Sequence, residues 1–157
     1  MTSEFSNLKK RAERGDVSAQ SAVATSYALG DGVRADLVLA RYWYSQAAEQ
    51  GDAEACFNFA AMVLHGEGGT KSKRKANALM RKASLLGSGD ASVWIGETAM
   101  QECKDEIAVT YFARALVQGD IRGARGISLL LSRSRFGSAG KWGDLIAREL
   151  KKGGVKF

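Results

Sequence analysis

Apolar positions along this chain recur with a helical period, and that pattern itself recurs at a longer one. From Ala40 the next apolar residues on the same side are Trp43, Tyr44 and Ala47; from Ala76 they are Leu79, Met80 and Ala83; from Ala108 they are Tyr111, Phe112 and Ala115. Each quartet has the spacing i, i+3, i+4, i+7, which lines one side of an α-helix. Between the quartets run trios spaced by four: Ala19, Val23, Tyr27; Ala55, Phe59, Val63; Ala91, Ile95, Ala99; Gly123, Ile127, Leu131. The pattern predicts two helices per unit, a first carrying the trio and a second carrying the quartet. Small residues let the axes approach while large ones fill the space between, as ridges fill grooves. A weaker fourth quartet runs Ala139, Trp142, Gly143, Ile146.

Glycines punctuate the pattern. Gly15, Gly51 and Gly87 stand 36 residues apart, and Gly119 follows after 32. A fixed period of this size marks a stack of supersecondary units. Each glycine suits a left-handed helix cap, and Asp16, Asp52, Asp90 and Asp120 are the expected N-caps of the first helices that follow. Between the two helices of a unit lies Gly30-Asp31-Gly32-Val33-Arg34-Ala35-Asp36, then Gly66-Glu67-Gly68-Gly69, while the third unit is about four residues shorter there. Connections this short make successive helices antiparallel. The chain has 18 glycines and no proline, so nothing breaks the predicted helices from within. The expected fold is all-α, about nine helices in three to four repeats. A capping helix at 3–14 presents Phe5, Leu8 and Ala12; repeats occupy 15–50, 51–86 and 87–118; a degenerate repeat and C-terminal cap occupy 119–152, with Trp142, Ile146 and Leu150 inward.

These residues carry a family resemblance. The unit resembles Sel-one-like repeats, relatives of the tetratricopeptide repeats, with the pattern small-x3-Leu-Gly-x2-Tyr, Gly-x-Gly-Val and Ala-x2-Trp-Tyr-x2-Ala-Ala-x2-Gly. The first unit supplies Ala19, Val23, Tyr27, Gly30, Gly32, Val33, Asp36, Ala40, Trp43, Tyr44, Ala47, Ala48 and Gly51, with Ala24 where the family has glycine. The second has Gly69 for the valine, and the third keeps Ile95-Gly96 without the glycine loop. The resemblance implies a right-handed α-solenoid whose first helices line a concave face that receives a protein partner. It also implies a bacterial, non-enzymatic adaptor or regulator, one form of which is an immunity protein neutralising a toxin or secreted effector. On that face, beside the core positions, stand Glu54, Phe57, Ala61, Leu64 and His65, then Val93, Glu97, Met100 and Gln101, then Arg122, Arg125, Leu129 and Arg133. The three arginines suit bidentate contact with carboxylates and so predict an acidic partner surface, or else they form a solvated face.

Composition narrows the remaining classes. Apolar residues make up 45% and charged residues 25%, ordinary for a chain that folds around a core without staples. Cys56 and Cys103 have no CxxC or Cys/His cluster near them, since His65 is the sole histidine; two buried thiols are expected, and no metal or cofactor. No triad of nucleophile, base and orienting group assembles, so no enzyme is expected. Gly68-Gly69-Thr70-Lys71-Ser72 fails the spacing of a phosphate loop. The N-terminus has no apolar stretch of signal-peptide type and no segment is long enough to span a bilayer, which makes the cytoplasm the expected compartment. A net charge of +6 brings nucleic acid into view, with Lys71-Ser72-Lys73-Arg74-Lys75 as the densest basic run, but no aromatic residues interleave it to stack bases.

Overall fold

A computed structural model describes residues 2–133 and 138–154; the side chains of residues 133, 138 and 139 also lie outside the described set, and with them part of the expected fourth quartet. The described residues form nine helices and no strand: α1 Ser3–Glu13, α2 Val17–Leu29, α3 Leu37–Glu49, α4 Ala53–His65, α5 Lys73–Leu86, α6 Gly89–Gln101, α7 Asp105–Val117, α8 Arg122–Arg133 and α9 Ser138–Lys152. The chain divides into two compact units, Met1–Leu86 and Gly87–Phe157, at the glycine expected to open the third repeat. In the first unit each helix from α1 to α5 packs on its neighbour in sequence; in the second, α7 packs against α6, α8 and α9.

The repeat explains where each helix starts and stops. Asp16 and Asp52 accept the amides of Ala19 and Ala55 at 3.0 and 2.8 Å, so each carboxylate satisfies a free N–H of the first turn. The third cap is Ser88, whose Oγ accepts from Ala91 N at 3.2 Å, and not Asp90. Ser88 follows Gly87 directly, as Asp16 follows Gly15, so the register of the repeat overrides residue type. Gly15, Gly51, Gly87 and Gly119 all take positive φ, between 85° and 108°.

The glycine loops have a packing task beyond turning the chain. Gly32 lies against the start of α1, where its carbonyl accepts from Thr2 N at 2.9 Å and a Cβ would come 2.8 Å from Thr2 Oγ1. Gly68, 36 residues on, lies against the start of α3, where a Cβ would meet the Leu37 carbonyl oxygen at 2.0 Å. Arg41 straps this second loop down, donating to the carbonyls of Glu67 and Thr70 at 3.0 and 2.9 Å. In the third unit only residues 102–104 join α6 to α7, and the left-handed position falls to Cys103 with φ 56°. Cys103 is therefore exposed and free, contrary to the expectation of two buried thiols, because the shortened turn carries it outward. Cys56 is buried as expected and donates to Leu79 O at 3.4 Å.

Quartets and trios form the core. Ala40, Trp43, Tyr44, Ala47, Ala76, Met80, Ala83, Ala108, Phe112 and Ala115 are all buried, as are Phe5 and Ala12 of α1. Each large aliphatic or aromatic side chain so covered contributes roughly 1.5–3 kcal/mol. The fourth trio departs: Leu130 is fully buried while Leu131 is 42% exposed. Seven residues bring a helix back to within about 20° of its starting direction and eight overshoot by about 80°, so on the narrow inner side of α8 Leu130 follows Gly123.

At the C-terminal end Glu149 is buried, and its carboxylate accepts from Lys152 Nζ at 2.6 Å and Arg114 Nη2 at 3.2 Å. Burial alone would push this carboxyl up, but those two cations together hold it below the usual glutamate value. A group depressed in the folded state contributes stability that is present above its unfolded pKa, about 4.3, and lost as pH falls through the folded value. Glu149→Gln is expected to lower stability at neutral pH by about 1–2 kcal/mol and to flatten the acid limb of stability against pH. Urea titrations from neutral to acid pH check this; an unchanged limb would contradict the assignment.

Candidate functional site

Among the described residues no group of three or more histidine, cysteine or acidic side chains is placed to hold a metal ion, and His65 is exposed in the last turn of α4. Among the described residues no helix is long and apolar enough to cross a membrane. Attention therefore falls on the outward faces of the first helices.

In the second unit, five of the residues expected on the binding face come together. Glu97 and Met100 from α6, and Arg122 and Arg125 from α8, line a concavity of about 270 Å³ with Leu129, over a floor of Phe112 and Gly126. The floor exists because Phe112 reaches from α7 between two helices that present glycine to it. A Cβ at Gly96 would come 2.7 Å from the ring, and one at Gly126 would come 2.6 Å from it. These glycines let α6 and α8 close on the ring while leaving the space above it open.

The arginines do not act alike. Arg122 Nε donates to both oxygens of Asp120 at 2.9 and 3.1 Å, its Nη2 reaches Asp120 at 2.5 Å, and the same nitrogen pairs with Asp90. The hydrogen bonds from Arg122 hold the Asp120 carboxyl below its usual range, and the two carboxylates push the guanidinium up. Arg122, expected to meet an acidic partner surface, is paired within the protein: Asp90, free of the capping task that Ser88 performs, joins Asp120 in neutralising it. Arg125 makes no ion pair with a described residue and is the exposed cation of the groove.

Other expected positions disperse. Val93 is 4% exposed, so it belongs to the core, covered together with Ala91 and Ser92. Gln101 is exposed at the end of α6 and does not line the concavity. The side chain of Arg133 lies outside the described residues. In the first unit Glu54 and His65 are exposed and Phe57, Ala61 and Leu64 half-buried along one face of α4. Burial raises the Tyr44 phenol, which also feels the Glu54 charge, while Thr25 shares a hydrogen bond of 2.9 Å with its hydroxyl. Phe112 and Gly126 were not expected at the site. Their signal was the pair Gly123 and Gly126 inside a helix, where each glycine is unfavourable by about 1 kcal/mol and so implies a close neighbour.

Comparison with known proteins gives the same architecture. The Sel1 repeat model matches residues 17–52 and 53–88, two adjoining units of 36 residues. Over 87 residues, 55% of this chain and 32% of the relative, the sequence is 38% identical to the exopolysaccharide production negative regulator of Rhizobium meliloti; the match thus spans about a third of that protein. Among solved structures, a Sel1 repeat protein from Oxalobacter formigenes superposes with a TM-score of 0.71 at 26% identity, covering 92% of this chain and 62% of that one. Cysteine rich protein B of Helicobacter pylori gives 0.53 at 30% identity over 55% of this chain and 65% of its own. A protective antigen of uropathogenic Escherichia coli with an SLR fold gives 0.54 at 22% identity over 94% and 40%, a likeness of fold alone. With their glycine-punctuated helix pairs, residues 17–88 are two Sel1 repeats, and the described residues are all-α like the solved Sel1 repeat protein they resemble.

Proposed function

We propose that this chain is a non-enzymatic adaptor or regulator that binds a protein partner through the open faces of its first helices, with the groove of the second unit as an anchor point. Sel1 repeats generally serve as protein-interaction modules, and the relative from Rhizobium meliloti is named as a negative regulator. The observation that carries the reading is the groove itself: an apolar floor and wall of Phe112, Met100 and Leu129 beside Arg125, which makes no ion pair with a described residue. An apolar side chain next to a carboxylate on the partner fits it, since a buried anchor with a charged neighbour is the usual energetic centre of a protein interface. Its size suits one side chain rather than a substrate enclosed for chemistry, and no acid, base or nucleophile stands around it in a catalytic relation.

Affinity purification with the intact chain as bait tests this. A partner recovered by the native protein is expected to fall by about tenfold or more with Leu129→Glu and Arg125→Glu, each variant retaining its helical circular dichroism. Equal recovery by native and variant baits, or no partner in either, would overturn the assignment.

A further inference from the structure

The net charge of +6 is not spread over the molecule. Residues 68–89 hold Lys71, Lys73, Arg74, Lys75, Arg81 and Lys82 and not one carboxylate, while the rest of the chain carries 17 cations and 17 acids. The whole excess therefore sits on α5 and the loop that leads into it. Several other first turns carry acids that favour the helix dipole, such as Glu4, Glu54, Asp105 and Glu106. The first turn of α5 has Lys73, Arg74 and Lys75 instead, which oppose the dipole and repel one another. Among the described residues two of the six cations are engaged: Lys82 donates to Ala48 O at 2.8 Å, and Lys75 lies 5.0 Å from the Phe59 ring centre. None forms an ion pair with a described residue.

Burial sets out how these charges are presented. The inner side of α5 is Ala76, Met80, Ala83 and Ser84, all covered. The outer side is the stripe Arg74, Ala78, Arg81 and Leu85, spaced i, i+4, i+7, i+11 and exposed throughout, with Leu85 at 76%. Arg74 and Arg81 are two turns apart, about 10 Å, with a methyl group between them and an apolar end beyond.

We infer that this face of α5 is a docking surface, separate from the groove, for an acidic polypeptide segment that places two carboxylates about 10 Å apart on Arg74 and Arg81 and an apolar side chain on Leu85. Guanidinium forks match carboxylates, Ala78 allows a partner backbone to come close, and Leu85 receives an apolar contact. A nucleic acid would leave Leu85 unused and finds no ring on α5 to stack on, and the neighbouring Phe59 lies buried beneath Lys75 and Arg41. A bilayer would call for an apolar side turned outward, and that of α5 is turned into the core.

The test is fluorescence anisotropy on the full chain with a labelled helical peptide bearing glutamates one and two turns apart and a terminal leucine. Its glutamine counterpart, a short duplex DNA and phosphatidylserine vesicles serve as the other arms. The glutamate peptide is expected to bind, to weaken with added salt, and to lose about tenfold or more with Arg74→Glu plus Arg81→Glu. A control with the same change in net charge, Lys9→Glu plus Lys10→Glu on α1, is expected to change affinity by about twofold or less. Equal loss in both double variants would reduce the effect to net charge and overturn the docking surface. So would equal binding of the glutamine peptide, or binding of DNA or vesicles through Arg74 and Arg81 without the glutamate peptide. The groove variants are expected to leave this binding unchanged, which separates its failure from that of the proposed partner site.

Discussion

Gly68→Ala is expected to destabilise the first unit by about 3 kcal/mol or more, near the top of what a single methyl group does outside a core. Two effects add. At φ 64° an alanine is strained by about 1–2 kcal/mol relative to glycine. Its Cβ would also stand 2.0 Å from the carbonyl oxygen of Leu37 and 2.6 Å from the carbonyl carbon, backbone atoms that move only if α3 or the loop moves. Arg41 holds the two together from the other side, so yielding breaks its bonds to the loop carbonyls. Gly15→Ala isolates the first effect, since φ is 91° there and no atom lies within 4 Å of the added Cβ. It is expected to lose only about 1–2 kcal/mol. Paired thermal and urea melts check the difference; equal losses would show that the loop does not need its close approach to α3.

Gly123→Ala is expected to reverse the ordinary sign of a helix substitution. Replacing glycine by alanine inside an open helix is favourable by about 1 kcal/mol, and Gly143→Ala on α9, with free space around it, should show that gain. At Gly123 the new Cβ would lie 2.2 Å from the Phe112 carbonyl oxygen, so α8 has to back away from α7. The loss, about 2–3 kcal/mol, is that of overpacking at a close helix crossing. Gly126→Ala meets the Phe112 ring rather than backbone, at 2.6 Å. A second change, Phe112→Leu, should therefore recover part of the loss at Gly126 and none of it at Gly123. Coupling of the two pairs in a double-mutant cycle distinguishes ring from backbone contact.

These sites show what the amino-acid pattern discloses and where it stops. Helix number, the glycine period and the inner sides of the second helices follow from spacing alone, because a helix must turn its apolar residues one way. The third N-cap was misplaced at Asp90, because residue type suggested the acid while the repeat's register put Ser88 in the cap position. Cys103 was expected inside because cysteine is usually covered; its exposure follows from a turn four residues shorter than its equivalents. The groove was legible in part. Counting along the helices places Glu97, Met100, Arg125 and Leu129, but the pairing of Arg122 with Asp90 joins residues 32 apart and leaves no local signal, whereas Asp120 stands only two residues from it. Val93 was lost for a related reason: helical spacing tells which side a residue takes, and not how wide the covered side is.

The central claim is that protein partners meet the open faces of the first helices, and photo-crosslinking tests it most directly. With a photoreactive phenylalanine analogue placed at Leu129 in cells making the intact chain, irradiation is predicted to give a discrete higher-mass adduct with another protein. The same group at Asn7, exposed on α1, is predicted to give none. Adducts of equal yield from both positions, or none from Leu129 while the chain is folded, would contradict the account.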